Sequence, residues 1–398
     1  MRFGIPFPLI ESLKKPEVYP HAVKALTLVE THISWVVLTG DYAYKIKKPV
    51  NLGFVDFSTL EKRKYYCEEE LRLNRRLAPE IYLDIVKIAG SPAAPVLNGP
   101  GVPFEYAVRM KQFNRESELD RLVSGGIDLA PQFDDFATAL ARFHRSAEPA
   151  GRNSSFGTPE VLSRPMRENF EQIDDLVTEE KEGLQLSDLR AWTESELQKT
   201  REYLVARKNG GFIRECHGDL HLANMVLIDN KIVVFDCLEF NENLRFIDVM
   251  SDMAFLLMDL EEKGKASLSA RFLNAYLERS GDYEGITILR LYRVYRAMVR
   301  AKVASIRAGQ QESGPERKRL IKESREYIRM ASRNAVRERP FMAITTGPSG
   351  SGKSVLARGL GELFPAVVIR TDAERKRLAL LDPLDKSRSA GLEGGLYS

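Results

Sequence analysis

The stretch His217-Gly218-Asp219-Leu220-His221-Leu222-Ala223-Asn224, followed by Ile232-Val233-Val234-Phe235-Asp236, holds the residue types that phosphoryl transfer needs. In a loop of spacing H-x-D-x-x-x-x-N, the aspartate accepts the proton of an acceptor hydroxyl and the asparagine holds Mg²⁺. A second aspartate after a short apolar strand is placed to be the other metal ligand. Carboxylate and amide oxygens are the hard donors Mg²⁺ prefers. Asp219 is the candidate base, with His217 as a support of the loop rather than a reacting group. Asn224 and Asp236 are the candidate metal ligands, and His221 reads as non-catalytic. The competing reading is a buried His–Asp pair that tightens a turn between two strands.

The elements upstream must position nucleotide phosphates against this loop. Residues 22–48 read as strands: Trp35-Val36-Val37-Leu38, a turn at Thr39-Gly40-Asp41, and an alternating return over Tyr42-Ala43-Tyr44-Lys45-Ile46-Lys47. Lys45 is the candidate phosphate-binding lysine; Lys47 has the same parity and competes with it, while Lys48 faces the other way. Residues 59–77 are helical by period, with Cys67, Leu71, Asn74 and Leu77 on one face and Glu70 among them. Glu70 is the candidate partner of the strand lysine; three solvated acids at 68–70 are the alternative. Ser91 to Pro103 reads as loop, Phe104 to Met110 as strand, and Lys111-Gln112-Phe113 as a connection whose backbone can read an adenine edge. Phe133 to His144 and two or three segments within 158–206 read as helices. After Asp236, Asp248 and Asp252 stand at i, i+4 at a helix start, where acids cap backbone N–H groups. A helix over 289–307 stacks Arg293, Arg296 and Arg300. The choice there is between a solvated charged face and an anion-binding wall of an acceptor pocket.

Composition bounds the rest. The chain has 398 residues, 43% hydrophobic and 29% charged, which suits a protein of two or three domains with substantial cores. A net charge of +3 argues against a chain-wide nucleic-acid footprint. Cys67, Cys216 and Cys237 are widely spaced, which speaks against a disulfide framework or a usual zinc site and fits a reducing compartment. Met1-Arg2-Phe3-Gly4-Ile5-Pro6 lacks a signal-peptide pattern. Val249 to Leu260 is broken by Asp252 and Asp259 and is too short to span a bilayer. The expectation is a cytoplasmic protein that engages neither nucleic acid nor membrane. Its oligomeric state is not encoded in any motif.

A second nucleotide signature lies near the C-terminal end. Phe341 to Thr346 reads as an apolar strand running into Gly347-Pro348-Ser349-Gly350-Ser351-Gly352-Lys353-Ser354 and then a helix, Val355 to Leu363. This is G-x-x-x-x-G-K-S. Gly347, Gly350 and Gly352 let backbone N–H groups close around phosphates, Lys353 reaches the β/γ-phosphates and Ser354 the Mg²⁺. A further strand, Ala366 to Ile369, ends at Arg370-Thr371-Asp372, where Asp372 resembles the substrate-side acid of small P-loop kinases. No second strand ending in Asp follows, and Asp385 to Gly395 reads as loop. The run from Gly347 to Ser398 is short for an α/β domain, which usually needs about 100–150 residues. A truncated P-loop domain is therefore expected.

These motifs together resemble an aminoglycoside-phosphotransferase-like kinase domain, over roughly 25–305, fused to a C-terminal P-loop kinase or AAA-type ATPase domain over 341–398. Thr31-His32-Ile33-Ser34-Trp35, Tyr44 to Pro49 and Cys67 to Asn74 also look like this fused family. The resemblance implies an α+β, bilobal protein-kinase-like fold: a small antiparallel-sheet lobe (1–110), a large, mostly helical lobe (111–308), a linker and charged helix (309–339), and a partial α/β P-loop segment (340–398). It implies ATP and Mg²⁺, with Asp219 as base and Asn224 and Asp236 as metal ligands, acting on a hydroxyl of a small molecule. Arg293, Arg296 and Asp372 are the candidate substrate-side residues. Two departures stand out. Thr31 to Ser34 occupies the place of a Gly-rich loop, and Asp236 is followed by Cys237-Leu238-Glu239 rather than Phe-Gly, which makes Glu239 an additional candidate metal-shell acid. The rival readings are a nucleotide-gated binding protein without transfer, and a P-loop ATPase.

Overall fold

The computed structural model describes residues 7–53, 55–174, 180–311, 313–336, 339–348 and 350–379. Met1 to Pro6 and the stretch Asp385 to Gly395 lie outside the described residues. In chain order the elements begin with α1 (Phe7–Leu13), β1 (Thr27–Glu30), β2 (Ser34–Leu38), β3 (Tyr42–Lys47), α2 (Leu60–Asn74), β4 (Tyr82–Ser91), β5 (Ala94–Leu97), β6 (Glu105–Lys111) and α3 (Leu119–Ser124). Next come α4 (Ala130–Ser146), α5 (Pro159–Asp174), α6 (Glu180–Asn209), β7 (Ile213–Glu215), β8 (Met225–Ile228), β9 (Lys231–Val234) and α7 (Glu242–Arg245). The last are β10 (Phe246–Asp248), α8 (Val249–Glu262), α9 (Ala266–Ser280), α10 (Ile286–Gly309), α11 (Pro315–Ala335), α12 (Lys353–Leu363) and α13 (Thr371–Leu378). This is an α+β fold in two units, Met1–Gly126 with His217–Arg245, and Ile127–Cys216 with Phe246–Ser398.

The first unit is built on a six-stranded antiparallel sheet of order β1-β2-β3-β6-β4-β5. Side chains alternate across a strand. Tyr44 and Ile46 of β3 therefore enter a core with Leu9 and Leu13 of α1, while Lys45 and Lys47 share the opposite face. Ser91 to Pro103, expected as loop, contains the short strand β5, paired antiparallel to β4 from Ile88↔Leu97 to Ser91↔Ala94. It is an edge strand, so the missing N–H of Pro95 leaves no central ladder broken. Helix α2 starts at Thr59, whose side chain accepts from Lys62 N, and buries Cys67, Glu70 and Asn74. The buried Arg63 guanidinium pins it to β6 through both oxygens of Glu105, at 2.9 and 2.8 Å. The hairpin β8–β9 closes at Asp229 and Asn230, whose φ of 48° and 61° are those of the two-residue turn that matches strand twist.

The second unit is mainly helical. Helices α5, α6, α8, α10 and α11 share a core that includes Phe170, Leu189, Phe255, Met298 and Tyr327. The charged helix expected within 309–339 thus packs through Tyr327, Ile328 and Ala331. Asp248 caps α8 by accepting from Met250 N, and Arg207 binds both Asp248 and Asp282. The arginines expected to form a basic face on α10 make contacts within this unit. Arg293 pairs with Glu261, Arg296 is buried over the Phe255 ring and donates to Ser251 O, and Arg300 donates to the Tyr327 hydroxyl. No described helix is long and apolar enough to cross a membrane.

The three cysteines are buried and form no disulfide. Burial pushes the Cys67 thiol up to about 12. Only the thiolate reacts readily. An aromatic disulfide reagent at pH 8 should therefore leave the native protein unlabelled and titrate all three thiols after denaturation.

Candidate active site

The catalytic-loop residues are arranged by short-range geometry. The β8–β9 hairpin places Asn224 opposite Phe235, whose N–H donates to Asn224 O at 2.9 Å, so Asp236 comes next to Asn224 although twelve positions separate them. The Asn224 amide donates to Asp219 Oδ2 at 2.9 Å and to Asp219 O at 3.0 Å. His221 Nε2 lies 3.2 Å from the same Oδ2. His217 is buried; its Nε2 donates to Phe235 O (3.0 Å) and its Nδ1 accepts from Asp219 N (3.3 Å). That fixes a neutral tautomer and ties the loop to the hairpin. Gly218 has φ of 87°, and a Cβ there would lie 2.6 Å from Leu244 O. Gly218→Ala should therefore destabilise the protein by about 1–3 kcal/mol through backbone strain, read as a lowered urea midpoint, together with lowered turnover.

Opposite the loop runs a chain of ion pairs. Lys45 Nζ lies 2.6 Å from Asp236 Oδ1 and 2.7 Å from Glu70 Oε1. Lys47 Nζ lies 2.8 Å from Glu70 Oε2 and also pairs with Glu239 Oε1. The order is Asp236–Lys45–Glu70–Lys47–Glu239. Burial opposes charge on both lysines, but the surrounding carboxylates more than offset it and hold both above the ordinary lysine value. Burial also works against the Glu70 charge, yet Lys45 and Lys47 pull its carboxyl down to about 2. Burial pushes Glu239 above the usual carboxylate range. Further polar contacts hold the Asp236 segment: Asp236 N donates to the Tyr82 hydroxyl (3.1 Å) and Cys237 N to Asn74 Oδ1 (2.9 Å). Asp236 itself has φ of 63°, a left-handed conformation that aspartate tolerates better than most residues.

These groups border a cavity of about 520 Å³. Lys45, Asp219, Asp236 and Glu239 line it, as do Thr31 and Ser34 of the turn in the place of a Gly-rich loop. Its apolar wall includes Val36, Ala43, Met110 and Phe113, beside the connection Lys111-Gln112-Phe113. Phe113 packs on Phe235 with ring centroids 5.0 Å apart. Such a wall suits a planar base, and the polar end suits phosphates. The donor set fits Mg²⁺. With its amide nitrogen committed to Asp219, Asn224 keeps its amide oxygen for a metal, and Asp236, half exposed, keeps Oδ2 beyond its bond to Lys45.

Of the candidates for the first site, Asp219, His217, Asn224, Asp236, Lys45 and Glu70 come together in the first unit. Lys47 also reaches Glu70, but Lys45 alone of the two lines the cavity and meets Asp236. His221 was read as non-catalytic, yet it touches the candidate base; its place two residues after Asp219 was the available signal. Tyr82 and Asn74 were missed as supports of Asp236. Arg293 and Arg296 belong to the helical packing described above. Glu239, the additional candidate metal-shell acid, pairs with Lys47 through Oε1 and lines the same cavity as Asp236.

The second signature lies in the other unit. Gly347, Gly350 and Gly352 have φ of 147°, 79° and 83°, and Gly352 precedes α12. Lys353 Nζ donates to Gly347 O (2.7 Å) and Pro348 O (2.6 Å), folded back on its own loop. Ser354 is exposed and borders a smaller cavity of about 160 Å³ with Arg279 and Asn274 of α9. Asp372 accepts from Arg370 at 2.7 Å. The strands expected at Phe341–Thr346 and Ala366–Ile369 are not formed among the described residues. Instead of a neighbouring strand, the Asn274 amide meets Ala366 O (2.9 Å) and Val368 N (2.7 Å).

A model of the phosphotransferase enzyme family matches residues 125–291, and a model of an AAA domain matches residues 342–395. Uncharacterized proteins of Mycobacterium tuberculosis and Mycobacterium bovis are each 35% identical over 370 residues, 93% of this chain and 71% of theirs. A microcompartment-associated aminopropanol kinase superposes with a TM-score of 0.48 at 13% identity, over 79% of this chain and 94% of that one. Aminoglycoside 2'-phosphotransferase-IIIa in its GDP complex superposes with a TM-score of 0.47 at 14% identity, over 80% and 95%. The chain belongs to the phosphotransferase enzyme family, with an AAA domain following the phosphotransferase region. Within that class it groups with the two mycobacterial proteins.

Proposed function

We propose that the protein transfers the γ-phosphoryl group of ATP to a hydroxyl of a small molecule. The observation that carries this reading is the convergence of Asp219, Lys45 and Asp236 on one cavity, with Asn224 bonded to Asp219. Asp219 orients the acceptor hydroxyl and takes its proton; Asn224 and His221 hold the carboxylate through Oδ2. Asn224 and Asp236 would hold Mg²⁺, which neutralises phosphate charge when bound. Lys45 binds phosphate oxygens, and Glu70 keeps it aimed at the cavity. His217 fixes the loop.

In this reading residues 1–110 form the nucleotide-side lobe and 111–308 the lobe that shapes the acceptor site. Residues 309–339 connect them to the segment 340–398, where Gly347, Gly350, Gly352, Lys353 and Ser354 form a second phosphate-binding loop. The protein works in the cytoplasm on a soluble acceptor, without nucleic acid or membrane. The test is ADP release from Mg-ATP over a panel of small hydroxyl compounds. Acceptor-stimulated release, lost in Lys45→Met, supports transfer. ATP binding without stimulation by any acceptor favours a nucleotide-gated binding protein.

A further inference from the structure

The ion-pair chain contains one more lysine and two more carboxylates than a single lysine–glutamate pair requires. Lys47 is fully buried, and its ammonium meets Glu70 Oε2 on one side and Glu239 on the other. Lys47 does not line the cavity, whereas Lys45 and Glu239 do. Two lysines against three carboxylates leave the chain one negative charge in excess.

Lys45 has to serve two sets of partners if it binds ATP. Here it bridges Asp236 and Glu70, with its ammonium 2.6 Å from Asp236 Oδ1. Turning toward phosphate means weakening one or both of these bonds. A buried carboxylate left without a cation is costly. Were Glu70 held by Lys45 alone, any departure of Lys45 would strand it. With Lys47 on its other oxygen, Glu70 stays compensated. Glu239, three positions after Asp236, anchors Lys47 to the segment that presents Asp236. Arg245 fixes that segment by donating to Glu239 O at 2.9 Å.

We propose that Lys47 and Glu239 are a positioning pair: they hold Glu70 independently of Lys45, so that Lys45 can exchange Asp236 for nucleotide phosphate while Asp236 turns to the metal. This rests on the phosphotransferase reading above. It assigns Lys47 a role other than phosphate binding and Glu239 a role other than metal ligation.

The experiment uses the full chain and the charge-balanced double variant Lys47→Met/Glu239→Gln, because either single change strands a buried charge and risks folding. Urea unfolding establishes that the double variant is folded. MgATP affinity is then measured by calorimetry, alongside KM for ATP and for the acceptor. The expected result is a folded protein whose MgATP affinity falls at least about tenfold, which is about 1.4 kcal/mol. The acceptor KM should change far less than the MgATP affinity, because Lys47 lies outside the cavity lining and acts through Glu70 and Lys45. A pair that merely packs would leave this split between the two substrates unmoved. Wild-type nucleotide affinity in the folded double variant overturns the proposal and leaves the phosphotransferase reading intact. An equal loss for both substrates overturns it too. Wild-type protein that binds no nucleotide overturns both.

Discussion

Replacing Asp219 with asparagine should abolish nearly all acceptor-dependent turnover while leaving ATP binding in place. The change keeps the size of the side chain and an oxygen for its bonds from Asn224 and His221, but it removes the basic carboxylate. General-base catalysis by a positioned side chain contributes about 10²–10⁴-fold, and the loss in kcat should fall in that range. KM for ATP should hardly move, because in the proposed mechanism Asp219 acts on the acceptor hydroxyl. The check is steady-state kinetics of both substrates together with calorimetry of MgATP. A variant that keeps wild-type kcat would remove Asp219 from the chemistry.

The second large effect is on stability. Lys47→Met leaves Glu239 without its cation inside the protein, and Glu70 with Lys45 alone. Breaking a buried pair by removing one partner costs about 3–5 kcal/mol, measurable as the free energy of urea unfolding. Adding Glu239→Gln should restore part of that loss, since it removes the stranded charge. The same ion pairs set an acid limit. The Glu70 carboxyl is held near about 2, against an ordinary value of 4.5. A depressed carboxylate contributes stability that is complete above the unfolded value and is lost as pH falls through the folded one. Wild-type stability should thus decline across the window from 4.5 toward about 2, and Glu70→Gln should flatten that part of the profile.

Much of the site was legible because its chemistry dictates short spacings. Asp219 and Asn224 lie in one loop, and the apolar run before Asp236 forms β9 of the hairpin that returns it to them. Glu70 was legible from the helical period of 59–77. The choice between Lys45 and Lys47 could not be made from period two, which puts both on one face of β3. The structure places both in the ion-pair chain, with Lys45 lining the cavity and Lys47 outside its lining. Tyr82 and Asn74 were invisible for another reason: they reach Asp236 and Cys237 across more than 150 positions, and no local pattern records such contacts. Arg296 looked solvated because charge is usually outward; its burial depends on the Phe255 ring and a carbonyl of α8. The segments 341–346 and 366–369 have strand-like composition, but a strand needs a partner for its backbone. Among the described residues the second meets the side-chain amide of Asn274 and Gly361 O rather than a neighbouring strand.

The most direct measurement is detection of the phosphorylated acceptor itself, by mass and ³¹P resonance, after incubation of each panel compound with Mg-ATP and the wild-type, Asp219→Asn or Lys353→Ala protein. The expected result is a phosphomonoester formed by the wild type and by Lys353→Ala and absent with Asp219→Asn. Product formed by Asp219→Asn but lost with Lys353→Ala would contradict the account and move the activity to the second nucleotide loop.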